Sequence, residues 1–297
     1  MSFTAADRAR AVSRVLLVEL VLNLVVASAK GFAGFYTGSL AILSDAVHSV
    51  VDAAANLLGF ALVKVAAAPP DSSHPYGHRK VEVFAASALG LLIGGTAVSF
   101  GVDAVRALIY GREAPAVSVI GYAVIVGTIC VNIFITVYER RRARQLSSSY
   151  LAADAAHTGA DVLTSVAVLI AYGAGQQGFA WADPLGAIVV LVVVVRVAWH
   201  ILEENIAVLV DAAAVPADRV CDLANGHPDV LDVHRVRSRG PSDAVQLDLH
   251  LVLAADLTLE RAHAIAHEVE DVLRDEIPGV VDVIVHTEPE GDHPEPL

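Results

Sequence analysis

The stretch ADPLGAIVVLVVVVRVAWH, Ala182 to His200, decides the fold. It is almost purely Ala, Ile, Leu and Val, with Arg196 the one charge deep in the run. A core helix of a soluble protein keeps a polar face, and this run is rarely matched there in uniformity. Its length suits the about 20 residues a helix needs to cross a hydrocarbon core roughly 30 Å thick. Blocks of similar length recur along the 297 residues, of which 55% are apolar, and the mean hydropathy is +0.59. Six spans are expected, at 11–33, 40–66, 82–109, 116–138, 150–174 and 182–208, so lipid is the medium of this part of the chain. Turn residues mark the breaks: Gly34 to Gly38, Pro69–Pro70, Gly111 to Pro115, the Arg140–Ser149 stretch, and Gly173 to Pro184. The charged start followed by a long apolar run, with no small-residue cleavage pattern, reads as a first span and not a removable signal.

Basic residues set the orientation. Arg8, Arg10 and Arg14 precede the first span, Arg79 and Lys80 lie between the second and third, and Arg140, Arg141, Arg142 and Arg144 follow the fourth. The opposite loops carry Arg112 alone. Both termini are therefore expected in the cytoplasm. The net charge of −13 is uneven: residues 1–210 hold 14 acids and 14 bases, whereas residues 211–297 hold 19 acids and 6 bases, with seven of the twelve histidines. That shift predicts two domains, 1–210 in the membrane and 211–297 outside it. An acidic, His-rich tail repels nucleic acid and suits a cation. Cys130 and Cys221 imply no disulfide framework and lack metal-motif spacing.

Beyond Asp211 the pattern becomes that of a small α+β domain of order αββαβ. Pro216–Asn225 reads as a short helix opened by proline. Val230–Val236 and Val245–Leu253 read as strands, the second alternating Val245, Leu247, Leu249 and Leu251 with polar partners. Thr258–Glu276 reads as an amphipathic helix capped by Thr258, and Val280–His286 as a third strand.

Two segments carry the chemistry: Asp45-Ala-Val-His48-Ser-Val-Val-Asp52 in the second span and Asp154-Ala-Ala-His157-Thr-Gly-Ala-Asp161 in the fifth. Four residues separate each His from the following Asp, about 6 Å along a helix and on one face. Two such helices facing each other present two imidazoles and two carboxylates, a four-coordinate set that Zn²⁺ accepts. An ionised Asp at membrane depth is costly when unpaired, whereas two carboxylates with a divalent cation are neutral. Protons compete with the metal for the same lone pairs, a physical basis for exchange of one against the other. Helix-packing polar groups are the alternative reading, and it suits one lone histidine better than two matching pairs. Asp45 and Asp154, three residues before each His, could hold the ligands in place or line a wet vestibule. Glu19, Asn23, Lys30, Asn132, Glu203 and Glu204 are less specific and are not expected to be ligands.

The loop Asp71-Ser-Ser-His74-Pro-Tyr-Gly-His78 gathers a carboxylate and two imidazoles around a Pro/Gly turn, and reads equally as a solvated loop. In the tail, His234 and His250 lie in strands, His263 and His267 are four apart on the helix, and His286 and Glu288 close the last strand. A metal site is expected there, with the converging histidines left open.

Taken together, the six spans, the D-x-x-H-x-x-x-D segments, the H-P-Y-G-H loop and the His-bearing tail resemble the cation diffusion facilitators, of the bacterial ferrous-iron and zinc efflux type. The resemblance covers nearly the whole chain. It implies a homodimer in the bacterial inner membrane, proton-coupled export of a divalent metal, and a ferredoxin-like cytoplasmic domain. It implies a transport site of His48, Asp52, His157 and Asp161, a loop site of Asp71, His74 and His78, and a cytoplasmic site of His234, His250, His263, His286 and Glu288. Glu288 stands where close relatives carry Asp, and Lys80 with Asp211 corresponds to an interlock between membrane and cytoplasmic parts, a pair better suited to switching than to stabilising. A relative of this type has Asp at the position of His48. The His₂Asp₂ set leans towards Zn²⁺ and Cd²⁺ over Mn²⁺, so Zn²⁺ is the expected cargo and His48→Asp is expected to broaden selectivity to Cd²⁺ or Mn²⁺. Rival readings are an exporter of Fe²⁺, Mn²⁺ or Co²⁺/Ni²⁺, a membrane sensor that does not transport, and a membrane metalloenzyme. The last lacks H-E-x-x-H and any obvious open coordination position, so no enzyme is expected.

Overall fold

Uninterrupted apolar runs in a solvent without hydrogen-bond partners must satisfy their backbone internally, and helices do so. The computed structural model of the chain describes residues 5–37, 40–110, 119–176 and 182–291. The side chains of Asp45 and His48 lie outside the described residues. Six long helices come first: α1 (Ala5–Thr37), α2 (Leu40–Ala66), α3 (Lys80–Tyr110), α4 (Val119–Leu146), α5 (Ser149–Gln176) and α6 (Ala182–Leu209). Among the described residues five of them are long and apolar enough to cross a membrane. The sixth, α5, has the length and carries Asp154, His157 and Asp161.

The helices α1, α2, α4 and α5 pack on one another, and α3 joins through α2 and α5. Leu16, Val63, Ile93 and Leu151 form their common core. Large apolar side chains such as Val21, Phe35, Val192 and Trp199 point outward, as lipid permits and water does not. At one end Arg8 holds the bundle together. Its guanidinium meets Glu82 at 2.9 Å and donates to the carbonyls of Leu146 and Ser147 at 2.6 and 2.8 Å. Ser148 also donates to Glu82. One buried carboxylate thus ties α1, α3 and the α4–α5 turn, where Ser147 takes a left-handed φ of 46°.

The boundary of the fourth span differs from expectation. Arg140 to Leu146 continues α4, which was expected to end at 138. Arginine is a good helix former, so the helix runs on after the apolar run stops.

The chain divides into two compact units, one up to Asn205 and one from Ile206. The second has α7 (Ala217–Ala224), β1 (Asp232–Arg239), β2 (Val245–Leu253), α8 (Leu259–Glu276) and β3 (Val280–Pro289), the expected αββαβ order. The sheet runs β1-β2-β3, antiparallel then parallel, with α8 as the crossover. Leu247, Leu249 and Leu251 are buried with Ile265, Val269 and Leu273 of α8. Strand alternation therefore turns His250 to the opposite face.

Candidate metal centres

Helix α5 places His157 and Asp161 one turn apart, and α2 brings Asp52 to them. His157 Nε2 stands 3.4 Å from Asp52 Oδ1 and 4.0 Å from Asp161 Oδ2. The three ligand atoms lie within 4.8 Å of one another, close enough for one ion. They line a cavity of about 120 Å³, together with Ser49, Asn56 and Lys30. Lys30 is buried and donates to Ser49 at 3.0 Å. His48 occupies α2 one turn before Asp52, on the same helix face. Asn23 and Asn132, given no ligand role from the sequence, also line the cavity, as does Asp154.

In the loop, Asp71 Oδ1 accepts from the backbone and hydroxyl of Ser73 at 2.9 and 2.8 Å and from the backbone of His74 at 2.7 Å. The Ser73 hydroxyl first, and then these backbone donors, hold the carboxyl down at about 2. Gly77, at a φ of +81°, completes the turn, its N–H donating to the His74 carbonyl. His74 Nδ1 and His78 Nε2 come to 3.4 and 3.5 Å from Asp71, with their rings 4.2 Å apart. The three ligand atoms again lie within 4.8 Å.

In the second unit the strand register gathers the candidate ligands. His234 pairs with His250 across β1 and β2, and His250 with His286 across β2 and β3, so three histidines form a row. Glu288, two residues beyond His286 and on the same face, reaches back along it. It stands 2.7 Å from His250 Nδ1, 3.1 Å from His234 Nε2 and 3.7 Å from His286 Nε2. The hydrogen bond with His250 holds the Glu288 carboxyl below its usual range. His234, His250 and Glu288 form a compact set of ligand atoms. His263 is placed elsewhere, its Nε2 at 3.2 Å from that of His267 on α8. Lys80 opens α3, and Asp211 follows α6 with a left-handed φ of 60°.

Sequence reasoning gave no role to Glu139, which is fully buried in α4 beside Glu19 and Asp154. It lies just past the expected end of the fourth span, directly before Arg140, Arg141, Arg142 and Arg144.

Residues 16–210 match the family described as the cation efflux transmembrane domain, and residues 215–290 match the cytoplasmic domain of cation efflux proteins. The chain is a cation diffusion facilitator. This facilitator is 34% identical over 286 residues to the cation-efflux pump FieF of Salmonella arizonae, covering 94% of this chain and 93% of that one. It is 32% identical over 287 residues to FieF of Cronobacter sakazakii, covering 95% and 94%. Among solved structures it is similar to the nickel form of the MamM C-terminal domain, at 22% identity and a TM-score of 0.24, over 25% of this chain and 92% of that one. It is also similar to the zinc form of CzrB, at 28% identity and a TM-score of 0.24, over 27% and 96%. By family the facilitator is a multi-pass membrane protein and a cation efflux transporter, with an α+β cytoplasmic domain after its helices.

Among the described residues, three of the facilitator's donor sets mix imidazole and carboxylate, without thiolate. Such sets suit borderline divalent ions better than Ca²⁺ or Mg²⁺, which favour oxygen alone.

Proposed function

We propose that this facilitator exports Zn²⁺ from the cytoplasm in exchange for protons. The observation that carries this is the convergence of Asp52 and Asp161 on His157 inside a polar cavity among membrane-spanning helices. His48 completes the set as the fourth ligand. Two carboxylates neutralise the ion, and the imidazoles supply the softer donors that favour Zn²⁺. When protons from outside occupy these groups, the ion loses its ligands and leaves. Rocking of the helices exposes the site to each side in turn.

Asp71, His74 and His78 hold a second ion in the loop. His234, His250, His286 and Glu288 hold one or more in the cytoplasmic domain of a homodimer, with His263 as the further ligand the family resemblance implies. Residues 1–210 then form the transport domain and 211–297 the regulatory one. The facilitator sits in the bacterial inner membrane with both termini in the cytoplasm, on the distribution of its arginines.

The test is flux. The protein is reconstituted in vesicles loaded with a zinc-sensitive dye and a pH dye, and Zn²⁺ is added outside with and without a proton gradient. Gradient-dependent entry in the wild type, absent in Asp52→Ala, is expected. Normal flux in Asp52→Ala would refute the transport site. No flux of Zn²⁺ with flux of Fe²⁺, Mn²⁺ or Co²⁺ would replace the cargo and keep the site.

A further inference from the structure

Beside the transport cavity, three carboxylates from three helices close on one another. Glu19 on α1, Glu139 on α4 and Asp154 on α5 each offer an oxygen, all within 4.8 Å of one another. Their residues are 3%, 0% and 2% exposed. Glu19 thus reaches both Glu139 and Asp154 from α1.

Proximity alone would not make a site; the missing donors do. Both oxygens of Glu139, Oε2 of Glu19 and Oδ2 of Asp154 have no hydrogen-bond partner among the described residues. The Asn56 amide nitrogen, buried on α2 next to Glu19, is also without one. Four unpaired acceptor atoms in a medium this dry are costly. Two ionised carboxylates carry lone pairs only, so nothing can bond Glu19 to either neighbour unless a proton sits between them. The arrangement is that of carboxyl groups sharing protons, as paired acids in one site must.

Among the described residues, Asp52 of α2 and Tyr150 and His157 of α5 act on the triad, and Lys30 of α1 and Asp161 of α5 line the cavity it adjoins. Lys30 donates to Ser49, the Arg140 guanidinium lies against Gly159, and the Tyr150 hydroxyl donates to the Ala55 carbonyl at 3.2 Å. Glu19 and Asp154 also line the cavity that Asp52, His157 and Asp161 line, and Glu139 closes on them from α4. A divalent ion arriving in that cavity acts on the triad at short range, where its field is weakly screened.

We propose that Glu19, Glu139 and Asp154 form a proton-holding site that releases protons when a divalent cation occupies the neighbouring cavity. Metal entry breaks an O–H bond in the triad, and the proton passes to water through the cavity. The carboxylate left behind offsets the incoming charge. Metal leaving reverses the step. The flux consequence rests on the antiport reading; the proton release on binding does not.

The experiment uses the purified full-length protein in detergent. Infrared difference spectra with and without Zn²⁺ are recorded for wild type and Glu139→Gln, and protons released per bound Zn²⁺ are measured in weak buffer. The wild type is expected to show the carbonyl band of a protonated carboxylic acid that diminishes on Zn²⁺ addition. Glu139→Gln is expected to bind Zn²⁺ in the same amount, lose part of that band and release fewer protons per ion. No such band in the metal-free wild type would overturn the proposal, whether or not the variant folds. So would unchanged proton release in a variant that binds Zn²⁺ normally. An additional equivalent of Zn²⁺ or Mn²⁺ bound by wild type and lost in Glu139→Gln would make the triad a cation site and overturn it too. Proton release in detergent with no proton-driven flux in vesicles would refute antiport and leave the triad standing.

Discussion

At the scale of the residue, ligand identity decides which ion is held. Position 48 lies one helical turn from Asp52, so a change there alters the proposed donor set without altering the helix. Replacing imidazole by carboxylate hardens the set, and His48→Asp is expected to raise Mn²⁺ uptake relative to Zn²⁺ in vesicles. An unchanged ratio would remove His48 from the proposed site. Glu288 is a second case, because its carboxyl is held below the usual range by His250. A lowered carboxyl contributes stability that is present above its unfolded value, about 4.3, and is lost as pH falls through the lowered folded value. The unfolding midpoint of metal-free wild type is therefore expected to drop over that acid window, and Glu288→Gln to flatten the drop. Equal slopes in the two proteins would show that the His250 contact does not support the fold.

At the scale of the element, local signals were read well and non-local ones were not. Thr258 was legible as a cap, and its hydroxyl accepts from the Arg261 N–H at the start of α8. Thr258→Ala is expected to destabilise the cytoplasmic unit by about 1 kcal/mol, seen as a lower midpoint in denaturant with an unchanged slope. The spacing of His157 and Asp161 was legible too, since four residues on a helix fix a shared face, and the two side chains stand 4.0 Å apart. Glu139 was not, because hydropathy reports the end of the apolar run and not the end of the helix. Once α4 continues to Leu146, the residue belongs to the bundle, where Glu19 and Asp154 meet it. The tail histidines show the same limit. Residue spacing suggests that His263 and His267 meet, and they do. That His234, His250 and His286 stand in one row depends on two strand registers, one of them interrupted by a bulge after His234, and spacing along the chain does not encode these.

At the scale of the whole molecule, two compact units each carry their own ligand clusters, which makes their responses to metal separable. An ion bound by the folded state alone stabilises it by about 2.7 kcal/mol at a hundred times its dissociation constant. His234, His250 and Glu288 belong to the second unit, while Asp52, His157 and Asp161 belong to the first. Calorimetry of the full chain in detergent is expected to show two transitions, both raised by Zn²⁺ and both lowered again by a chelator. Glu288→Gln removes a carboxylate that touches two histidines, so it should abolish most of the Zn²⁺ shift of the cytoplasmic transition and spare the other. Asp52→Ala should do the converse. If either variant erased both shifts, metal binding in the two units would be thermodynamically coupled. The cytoplasmic cluster would then act on transport by changing the affinity of the membrane site itself, with a reciprocal effect of equal size in the other direction. If the shifts are independent, regulation must come from the conformation the tail ion favours and not from affinity. The pair of variants therefore decides how a metal in the tail can govern a metal in the membrane.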